Sequence, residues 1–285
     1  MSHVYKALQQ AELENTGASE LTDATQLTPN MLQVAPEEHS WLEHVPSLRP
    51  VPLAESRVVT ISDGNSLGAE KFRLLRTRLR HLQDRSELKK IVITSGGPGE
   101  GKTTVASNLA ISLAGHTSQK VLLLEGDLRH PALAGKFGLR GLRGLREWFG
   151  TEEPVTQFIY RVEGYHLWFL PCGSPAEDAV RILQSNRFLE TLNRLSGCFD
   201  WIVIDAPPLT PLADIHLWAD KADGVLLVVR EGLTPKKTLL KGLTAFDGTK
   251  LLGVVLNDVP GLDRDYDERY NENGNGKKRD SRIGE

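Results

Sequence analysis

A glycine-rich segment in the first half of the chain carries the clearest chemical signal. Residues 95–104 read SGGPGEGKTT, and Gly96 to Thr103 fit the pattern G-x-x-x-x-G-K-[ST]. Glycines let several backbone N–H groups point at phosphate oxygens, and a helix that begins after the loop turns its positive end to the same anion. Lys102 can then reach the β- and γ-phosphates of a nucleotide, and the Thr103 hydroxyl can bind Mg²⁺. The pattern therefore predicts a nucleoside-triphosphate site.

Two further segments place carboxylates directly after apolar runs. Residues 121–131 read VLLLEGDLRHP, which puts Glu125 and Asp127 two positions apart, and residues 199–208 read FDWIVIDAPP, which ends an apolar run at Asp205. Ligands of open α/β sheets bind at the carboxyl ends of the strands, so we expect all three acids beside the glycine-rich loop. There Asp205 can hold Mg²⁺ through water, while the other two carboxylates can share Mg²⁺, a water molecule or the hydroxyl that attacks the γ-phosphate.

Alternating strands and helices must position these groups. Continuous apolar runs predict buried strands of a parallel sheet that is covered on both faces, at residues 90–94, 121–124, 201–204, 225–229 and 251–256. Helices are expected before and between them, at residues 66–83, 103–114, 176–183, 187–195 and 236–246. This alternation predicts an α/β fold with a doubly wound, mainly parallel sheet of the P-loop NTPase type.

The predicted domain is flanked by segments of different composition. Residues 1–56 are expected to form a short amphipathic helix at residues 2–14 and then a flexible linker rich in Thr, Ser, Pro and Glu. Residues 57–261 make up the predicted P-loop domain, and residues 262–285, acidic and then basic, are expected to be a disordered tail. The N-terminal helix either frays or docks on this chain or on a partner, and the sequence leaves these alternatives open.

Composition narrows the class of protein. The chain has 285 residues, 40% hydrophobic and 25% charged, with a net charge of −3, so a nucleic acid is not expected as its main partner. The sequence has no apolar run of about 18 residues and no apolar signal core, which predicts neither a transmembrane helix nor secretion. We interpret the two cysteines, Cys172 and Cys198, as reduced thiols of a cytoplasmic protein.

The three motifs together resemble those of the bacterial tyrosine kinases (BY-kinases) of capsule and exopolysaccharide biosynthesis. That family combines a loop of the type S-x-x-P-G-E-G-K-[ST] with an apolar run followed by D-x-D-x-R, and with a second run that ends in D-x-P-P. Here the corresponding stretches are SGGPGEGKT at residues 95–103, EGDLR at residues 125–129 and DAPP at residues 205–208. The resemblance covers about residues 58–260, and the opening SHVYKAL at residues 2–8 is similar to the start of exosortase-associated members.

This resemblance implies an ATP- and Mg²⁺-dependent protein-tyrosine kinase. The implied catalytic groups are Lys102, Asp127, Glu125 and Asp205, and the implied metal ligands are Thr103, Asp205 and Glu125. The implied nucleotide contacts are Gly97, Pro98, Gly99, Glu100, Gly101, Lys102, Thr103, Thr104, Arg129 and Asn257. The family's oligomerisation motif E-x-x-R-x-x-R corresponds to Glu70, Arg73 and Arg76, and the candidate phosphoacceptors are Tyr266 and Tyr270.

The same resemblance implies partners and a location. Phosphorylation between neighbouring subunits implies a homo-oligomer. A kinase domain without a transmembrane segment implies a separate membrane protein of the chain-length-regulator type that activates it. We therefore expect a cytoplasmic protein that such a partner recruits to the inner face of the plasma membrane, where it regulates polymerisation and export of a polysaccharide.

Two departures from the family pattern motivate an alternative function. Glu125 stands where the family usually has Asp, which moves a carboxylate by one methylene, and the tail has two tyrosines rather than a larger cluster. The alternative is a ParA/MinD-like ATPase switch, or a scaffold of the polysaccharide machinery, that transfers no phosphate to protein. Those ATPases, which share the deviant P-loop fold, carry a characteristic lysine five residues before the loop lysine. Gly97 occupies that position here, which favours the kinase.

Overall fold

The computed structural model describes residues 40–52, 54–115, 119–209, 214–236, 239–240 and 250–259. The chain divides into two compact units, Met1–Glu38 and His39–Glu285, and every described residue belongs to the second. The predicted helix at residues 2–14, most of the predicted helix at residues 236–246 and the predicted tail at residues 262–285 lie outside the described residues.

Eight strands form one sheet in the order β1-β4-β5-β3-β6-β2-β7-β8. All neighbouring strands are parallel except β4 and β5, which are antiparallel. The strands are β1 (Ser47–Leu48), β2 (Lys90–Ser95), β3 (Val121–Glu125), β4 (Tyr160–Val162), β5 (Leu167–Leu170), β6 (Trp201–Asp205), β7 (Gly224–Arg230) and β8 (Leu251–Asn257). The predicted α/β class with a mainly parallel sheet is confirmed.

Helices cover this sheet. In the described part of the chain they are α1 (Trp41–His44), α2 (Val59–Ser62), α3 (Leu67–Gln83), α4 (Lys102–Ala114), α5 (Leu133–Lys136), α6 (Leu145–Phe149), α7 (Ala179–Gln184), α8 (Asn186–Cys198) and α9 (Asp214–Lys221). Short 3₁₀ turns occur at Ala54–Ser56 and Val155–Phe158. None of these helices combines the length and the apolar character that crossing a membrane requires.

The central strands are apolar throughout because both faces of the sheet are buried. Successive side chains of a strand point to opposite faces. Accordingly, Val92 of β2 belongs to one hydrophobic core, with Trp168 and Trp218, whereas Ile91 and Ile93 belong to the other, with the apolar side chains of α4. All five residues are almost fully buried. Burial on two faces therefore holds the carboxyl ends of β2, β3 and β6 at one edge of the sheet.

Helices α3 and α4 start where the sequence predicts. The Ser66 hydroxyl accepts a hydrogen bond from the Ala69 N–H at 3.2 Å, which caps the N-terminus of α3. Helix α4 begins directly after the glycine-rich loop, with Gly101 as its N-cap residue, and ends before Gly115. Eleven of its thirteen residues are buried. Because α4 is packed on nearly all sides, the start of the helix, and with it the loop, has a fixed position.

The folded part includes residues that the sequence assigned to the linker before residue 57. Leu42 of α1 is only 2% exposed and packs in the core. Its carbonyl oxygen accepts a hydrogen bond from the Trp168 indole N–H at 3.1 Å, and the ring of Trp41 packs edge-on against Phe199. Strand β1 then adds to the sheet beside β4. These elements have only two to four residues each, too few for a periodic pattern to be read from the sequence.

Candidate active site

The glycine-rich loop is closed by one of its own side chains. The Glu100 carboxylate accepts hydrogen bonds from the N–H groups of Gly97 at 2.8 Å and Gly96 at 3.3 Å. Burial raises the pKa of Glu100, and these two hydrogen bonds oppose that shift. Gly99 and Gly101 have φ angles of +80° and +98°, which glycine adopts without strain. Glu100 thus shapes the loop from within and does not face the cleft.

Lys102 lies between two carboxylates that come from different strands. Its ammonium nitrogen is 2.9 Å from Asp127 Oδ2 and 4.0 Å from Asp205 Oδ1. The strand register explains this arrangement, because Asp205 at the end of β6 pairs with Ile93 of β2 on one side and with Glu125 of β3 on the other. Burial alone would lower the pKa of Lys102, but the charges of Asp205 and Asp127 outweigh it and raise the pKa.

Asp205 is a buried carboxylate without a hydrogen-bond partner. Its side chain is 1% exposed, and neither oxygen makes a hydrogen bond within the described part of the chain. Burial raises its pKa to about 6, although the Lys102 charge and the nearby Thr103 hydroxyl act to lower it. A buried carboxylate without a hydrogen bond is costly, and the Lys102 ammonium at 4.0 Å offsets that cost only in part. Asp205 and Thr103 therefore fit a Mg²⁺ ion that is held mainly by water and phosphate oxygens.

Other protein ligands for a metal are few. The described residues contain no group of three or more His, Cys, Asp or Glu side chains placed to hold a metal ion. Mg²⁺ usually keeps several waters and binds through one or two carboxylates together with substrate phosphates. The donor set at Asp205 and Thr103 fits that kind of site better than a metal cage built from protein alone.

The raised pKa of Asp205 predicts a pH-dependent stability. The folded-state pKa of about 6 lies above the value of about 3.9 for aspartate in an unfolded chain, so the folded, nucleotide-free protein binds this proton more tightly. The stabilisation, up to roughly 3 kcal/mol, is fully present below about pH 4 and is lost as the pH rises through about 6. Urea unfolding from pH 4 to 8 should show the wild type losing stability relative to Asp205→Asn. Parallel pH profiles would contradict this prediction.

Glu125 is bound by backbone groups outside the glycine-rich loop. Its two carboxylate oxygens accept hydrogen bonds from the backbone N–H groups of Leu133, at the start of α5, and Cys172, the latter at 3.0 Å. Burial raises the pKa of Glu125, and the backbone hydrogen bonds oppose the shift. The longer side chain reaches backbone donors of two neighbouring segments. In this arrangement Glu125 fixes the end of β3, and its charge still helps to raise the pKa of Lys102. Its catalytic and metal-binding roles stay predictions.

Arg129 also makes its hydrogen bonds to groups outside the glycine-rich loop. Its guanidinium donates to Asp214 at 2.7 Å and to the Glu177 carbonyl at 3.0 Å. The hydrogen bond to Asp214 raises the pKa of Arg129. Asp214, at the start of α9, is 3% exposed, so its carboxylate requires a cationic partner. The charge of Asp127 also raises the pKa of Arg129, although its guanidinium makes its hydrogen bonds to Asp214 and Glu177. The contact of Arg129 with phosphate stays a prediction.

Helix α9 holds the segment around Asp127 at a second point, which the sequence did not reveal. The Trp218 indole N–H donates to the Gly126 carbonyl at 2.9 Å, and the Gly126 N–H donates to the Asp205 carbonyl at 2.8 Å. A Cβ atom at Gly126 would lie 2.9 Å from both Ile204 and Trp218. The short segment DIHLWADK, eight residues without a clear apolar period, gave no sign of this role.

A cleft of about 710 Å³ opens over the loop. Of the predicted residues, those that line it are Pro98, Gly99, Gly101, Lys102, Thr103, Thr104, Asp127 and Asn257. Those that do not are Gly97, Glu100, Glu125, Arg129 and Asp205. Asn257 also donates to the Glu100 carbonyl at 2.8 Å, so it supports the loop backbone as well as facing the cleft.

The predicted oligomerisation motif lies on α3. Arg73 pairs with Glu70 and donates to the Gly64 carbonyl at 2.8 Å. Arg76 donates to the Ser112 carbonyl on α4, also at 2.8 Å, and burial lowers its pKa. Two of the three side chains thus contact backbone of this subunit, and their role between subunits stays a prediction. The candidate phosphoacceptors Tyr266 and Tyr270 lie outside the described residues.

Comparison with known proteins identifies the family. Residues 91–276 match the CobQ/CobB/MinD/ParA nucleotide binding domain. The tyrosine-protein kinase YwqD of Bacillus subtilis is 31% identical over 71% of this chain and 86% of its own length. The chain belongs to the bacterial tyrosine-protein kinases. The tyrosine-protein kinase CpsD of Streptococcus agalactiae is similarly related, at 30% identity over 74% of this chain and 90% of its own length.

Solved structures agree with this assignment. The chimerical protein CapA2B2 is 30% identical and superposes with a TM-score of 0.67 over 76% of this chain and 96% of its own. The cell division ATPase MinD of Pyrococcus furiosus, at 27% identity, gives a TM-score of 0.50 over 62% of this chain and 74% of its own. The kinase therefore has the same type of nucleotide-binding fold as the MinD ATPases, as predicted.

Proposed function

We propose that this tyrosine-protein kinase transfers the γ-phosphate of ATP to tyrosines in the C-terminal segment of a neighbouring copy. The observation that carries the proposal is the position of Lys102, which lies between Asp127 and Asp205 at the mouth of the glycine-rich loop. In this arrangement Lys102 can bind the phosphates of ATP. The carboxylate of Asp205 on one side can then hold Mg²⁺, and that of Asp127 on the other can hold the acceptor hydroxyl.

Each residue then has a distinct role. The loop N–H groups and Lys102 would hold the β- and γ-phosphates, and Thr103 with Asp205 would hold Mg²⁺. When bound, that ion would neutralise charge that develops on the phosphate oxygens. Asp127 would accept the hydrogen bond, and then the proton, of the acceptor tyrosine. Because a tyrosine hydroxyl has a pKa near 10, positioning next to a carboxylate matters more than ionisation beforehand.

The candidate phosphoacceptors provide the test. Replacing Tyr266 and Tyr270 together by phenylalanine should remove most of the phosphotyrosine that the purified chain acquires with ATP and Mg²⁺, measured by mass spectrometry with site mapping. Tyr160 and Tyr165 serve as internal controls, because both are held within the folded domain: the Tyr160 hydroxyl donates to the Arg143 carbonyl at 3.1 Å, and Tyr165 packs against the hydrophobic core. Full labelling of the double variant would show that the acceptors lie elsewhere.

An ATPase switch is the second candidate function. The contacts of Glu125 favour an ATPase switch. Its carboxylate accepts hydrogen bonds from the N–H groups of Leu133 and Cys172, so Asp127 would have to position the acceptor tyrosine without its help. Deleting residues 262–285 separates the two functions. The kinase would lose phosphotyrosine, whereas the switch would keep nucleotide-dependent assembly, measured by light scattering with ATP and with ADP.

We place this activity at the inner face of the plasma membrane, in the control of polysaccharide polymerisation and export. The family supports this proposal, and a separate membrane protein of the chain-length-regulator type would recruit and activate the kinase. Glu70, Arg73 and Arg76 of α3 would contribute to a homo-oligomer in which one copy phosphorylates the next. Co-purification with the candidate membrane protein, and an increase in phosphotyrosine when it is added, would test the partner.

A further inference from the structure

The cleft has two ends, which follow from the strand order. Strand β2, from which the glycine-rich loop runs, lies between β6 and β7, with β3 beyond β6 and β8 beyond β7. Arg230 and Asp258 line the cleft on the β8 side, whereas His130 and Lys136 line it on the β3 side. The Lys136 ammonium is 3.3 Å from the Ser56 carbonyl, which places the neighbouring Arg57 at the same β3 end.

The two ends differ in charge. At the β8 end, Arg230 forms an ion pair with Asp258. At the β3 end, Arg57 and Lys136 have no carboxylate within 4.0 Å in the part of the chain that the structure describes. Glu55 lines the same cleft but pairs with neither of them. The β3 end therefore offers two cations that are available to a ligand.

Arg57 is held in a conformation that non-glycine residues rarely adopt. Its φ is +54°, and within the described ranges Asp258 is the other non-glycine residue with a positive φ. The backbone at Arg57 is fixed by Asn108 of α4, whose amide donates to the Arg57 carbonyl at 2.9 Å and accepts from the Thr60 N–H at 3.0 Å. Such strain costs about 1–3 kcal/mol and concentrates at functional sites. Both strained residues line this cleft, one at each end.

Taking the proposed kinase activity as given, we propose that Arg57 and Lys136 bind the acidic residues that flank an acceptor tyrosine. The phosphates already have the loop N–H groups and Lys102. The acceptor hydroxyl must reach Asp127, which follows β3, so the acceptor segment enters at the end where these two cations lie. Cations placed there attract carboxylates on either side of the tyrosine.

The chain contains a segment of matching charge. Residues 263–270 read DRDYDERY, in which four acidic and two basic residues surround Tyr266 and precede Tyr270. We assign this segment of a second copy as the occupant. The cleft thereby selects the kinase's own tail over tyrosines in neutral surroundings.

A peptide comparison tests the proposal. The enzyme is the full chain with Tyr266 and Tyr270 replaced by phenylalanine, which prevents self-labelling. The substrates are a peptide of residues 263–270 and a neutral peptide in which its four acids are replaced by Asn or Gln and its two arginines by Gln. The double variant Arg57→Gln/Lys136→Gln should lower the ratio of kcat/KM for the acidic over the neutral peptide roughly tenfold, as expected for partly exposed charge pairs. The effect should shrink as salt is raised.

A charge reversal and a matched control sharpen the result. Arg57→Glu/Lys136→Glu should prefer a peptide whose acids are replaced by lysine. Lys89→Gln/Arg194→Gln removes the same charge from exposed positions outside the cleft and should leave the ratio unchanged. An unchanged ratio in the Arg57/Lys136 variant would overturn the proposal. Weaker ATP binding by the Arg57/Lys136 variant would also overturn the proposal, because both side chains would then belong to the nucleotide site.

A binding measurement separates this proposal from the proposed function. Fluorescence anisotropy of the labelled acidic peptide, with a non-hydrolysable ATP analogue present, reports binding without phosphate transfer. If the wild type binds the peptide more tightly than the Arg57/Lys136 variant but never phosphorylates it, the acidic-segment site stands and the kinase activity fails. If wild type and variant bind the peptide equally, the site fails whatever the activity.

Discussion

Replacing Lys102 by methionine is expected to lower the rate of tyrosine phosphorylation by roughly 10²–10³-fold. The ammonium group lies 2.9 Å from Asp127 and 4.0 Å from Asp205, so it is the charge that offsets both carboxylates. Methionine has a similar length but no charge, and the phosphates would then meet two carboxylates without this cation. Steady-state kinetics with ATP, Mg²⁺ and the peptide of residues 263–270 measure the loss in kcat/KM.

The control for this prediction lies at the other end of strand β2. Lys89 directly precedes β2, and its ammonium lies 3.2 Å from the Ser196 carbonyl. Lys89→Met should keep near-normal kinetics because it removes the same charge far from the cleft. Nucleotide titration by calorimetry should show weaker ATP binding in Lys102→Met. If that variant kept more than a tenth of the wild-type rate, the assignment of Lys102 to the phosphates would be wrong.

Replacing Gly126 by alanine is expected to slow phosphate transfer about 100-fold and to lower the free energy of unfolding by about 1–3 kcal/mol. The new methyl group would lie 2.9 Å from Ile204 and from the Trp218 ring, both fully buried. The backbone next to Asp127 must then shift, and misplacing a catalytic group by about 1 Å can cost that much in rate. Kinetics and urea unfolding measure the two effects.

Gly135→Ala is the matched control, since a methyl group at Gly135 of α5 would meet no atom within 4 Å among the described residues beyond its own helical turn. This variant should keep the wild-type rate and unfold with a similar free energy. The Gly126→Ala variant should still bind ATP, because the loop and Lys102 are unchanged. A normal rate in Gly126→Ala would show that the contacts of α9 do not position Asp127.

The sequence alone determined the elements that depend on contiguous residues. The glycine-rich loop, the strand that ends at Asp205 and the long helix α3 each lie within one short window, where spacing and apolar periodicity are sufficient. The parallel sheet followed from the same local patterns, because strands buried on both faces are apolar throughout. The prediction that Lys102 and Asp205 lie beside each other therefore needed only these local patterns.

Only the tertiary structure decided which partner each charged side chain takes. Arg129 pairs with Asp214, 85 positions away, and Trp218 contacts Gly126 across 92 positions. Glu125 is bound by the Cys172 N–H, 47 positions away. Such contacts depend on the order of strands and on how buried charges are satisfied, and neither leaves a local pattern in the sequence. A contact across 51 positions, between the Asn108 amide and the Arg57 carbonyl, likewise places Arg57 at the end of the cleft where an acceptor tyrosine would enter.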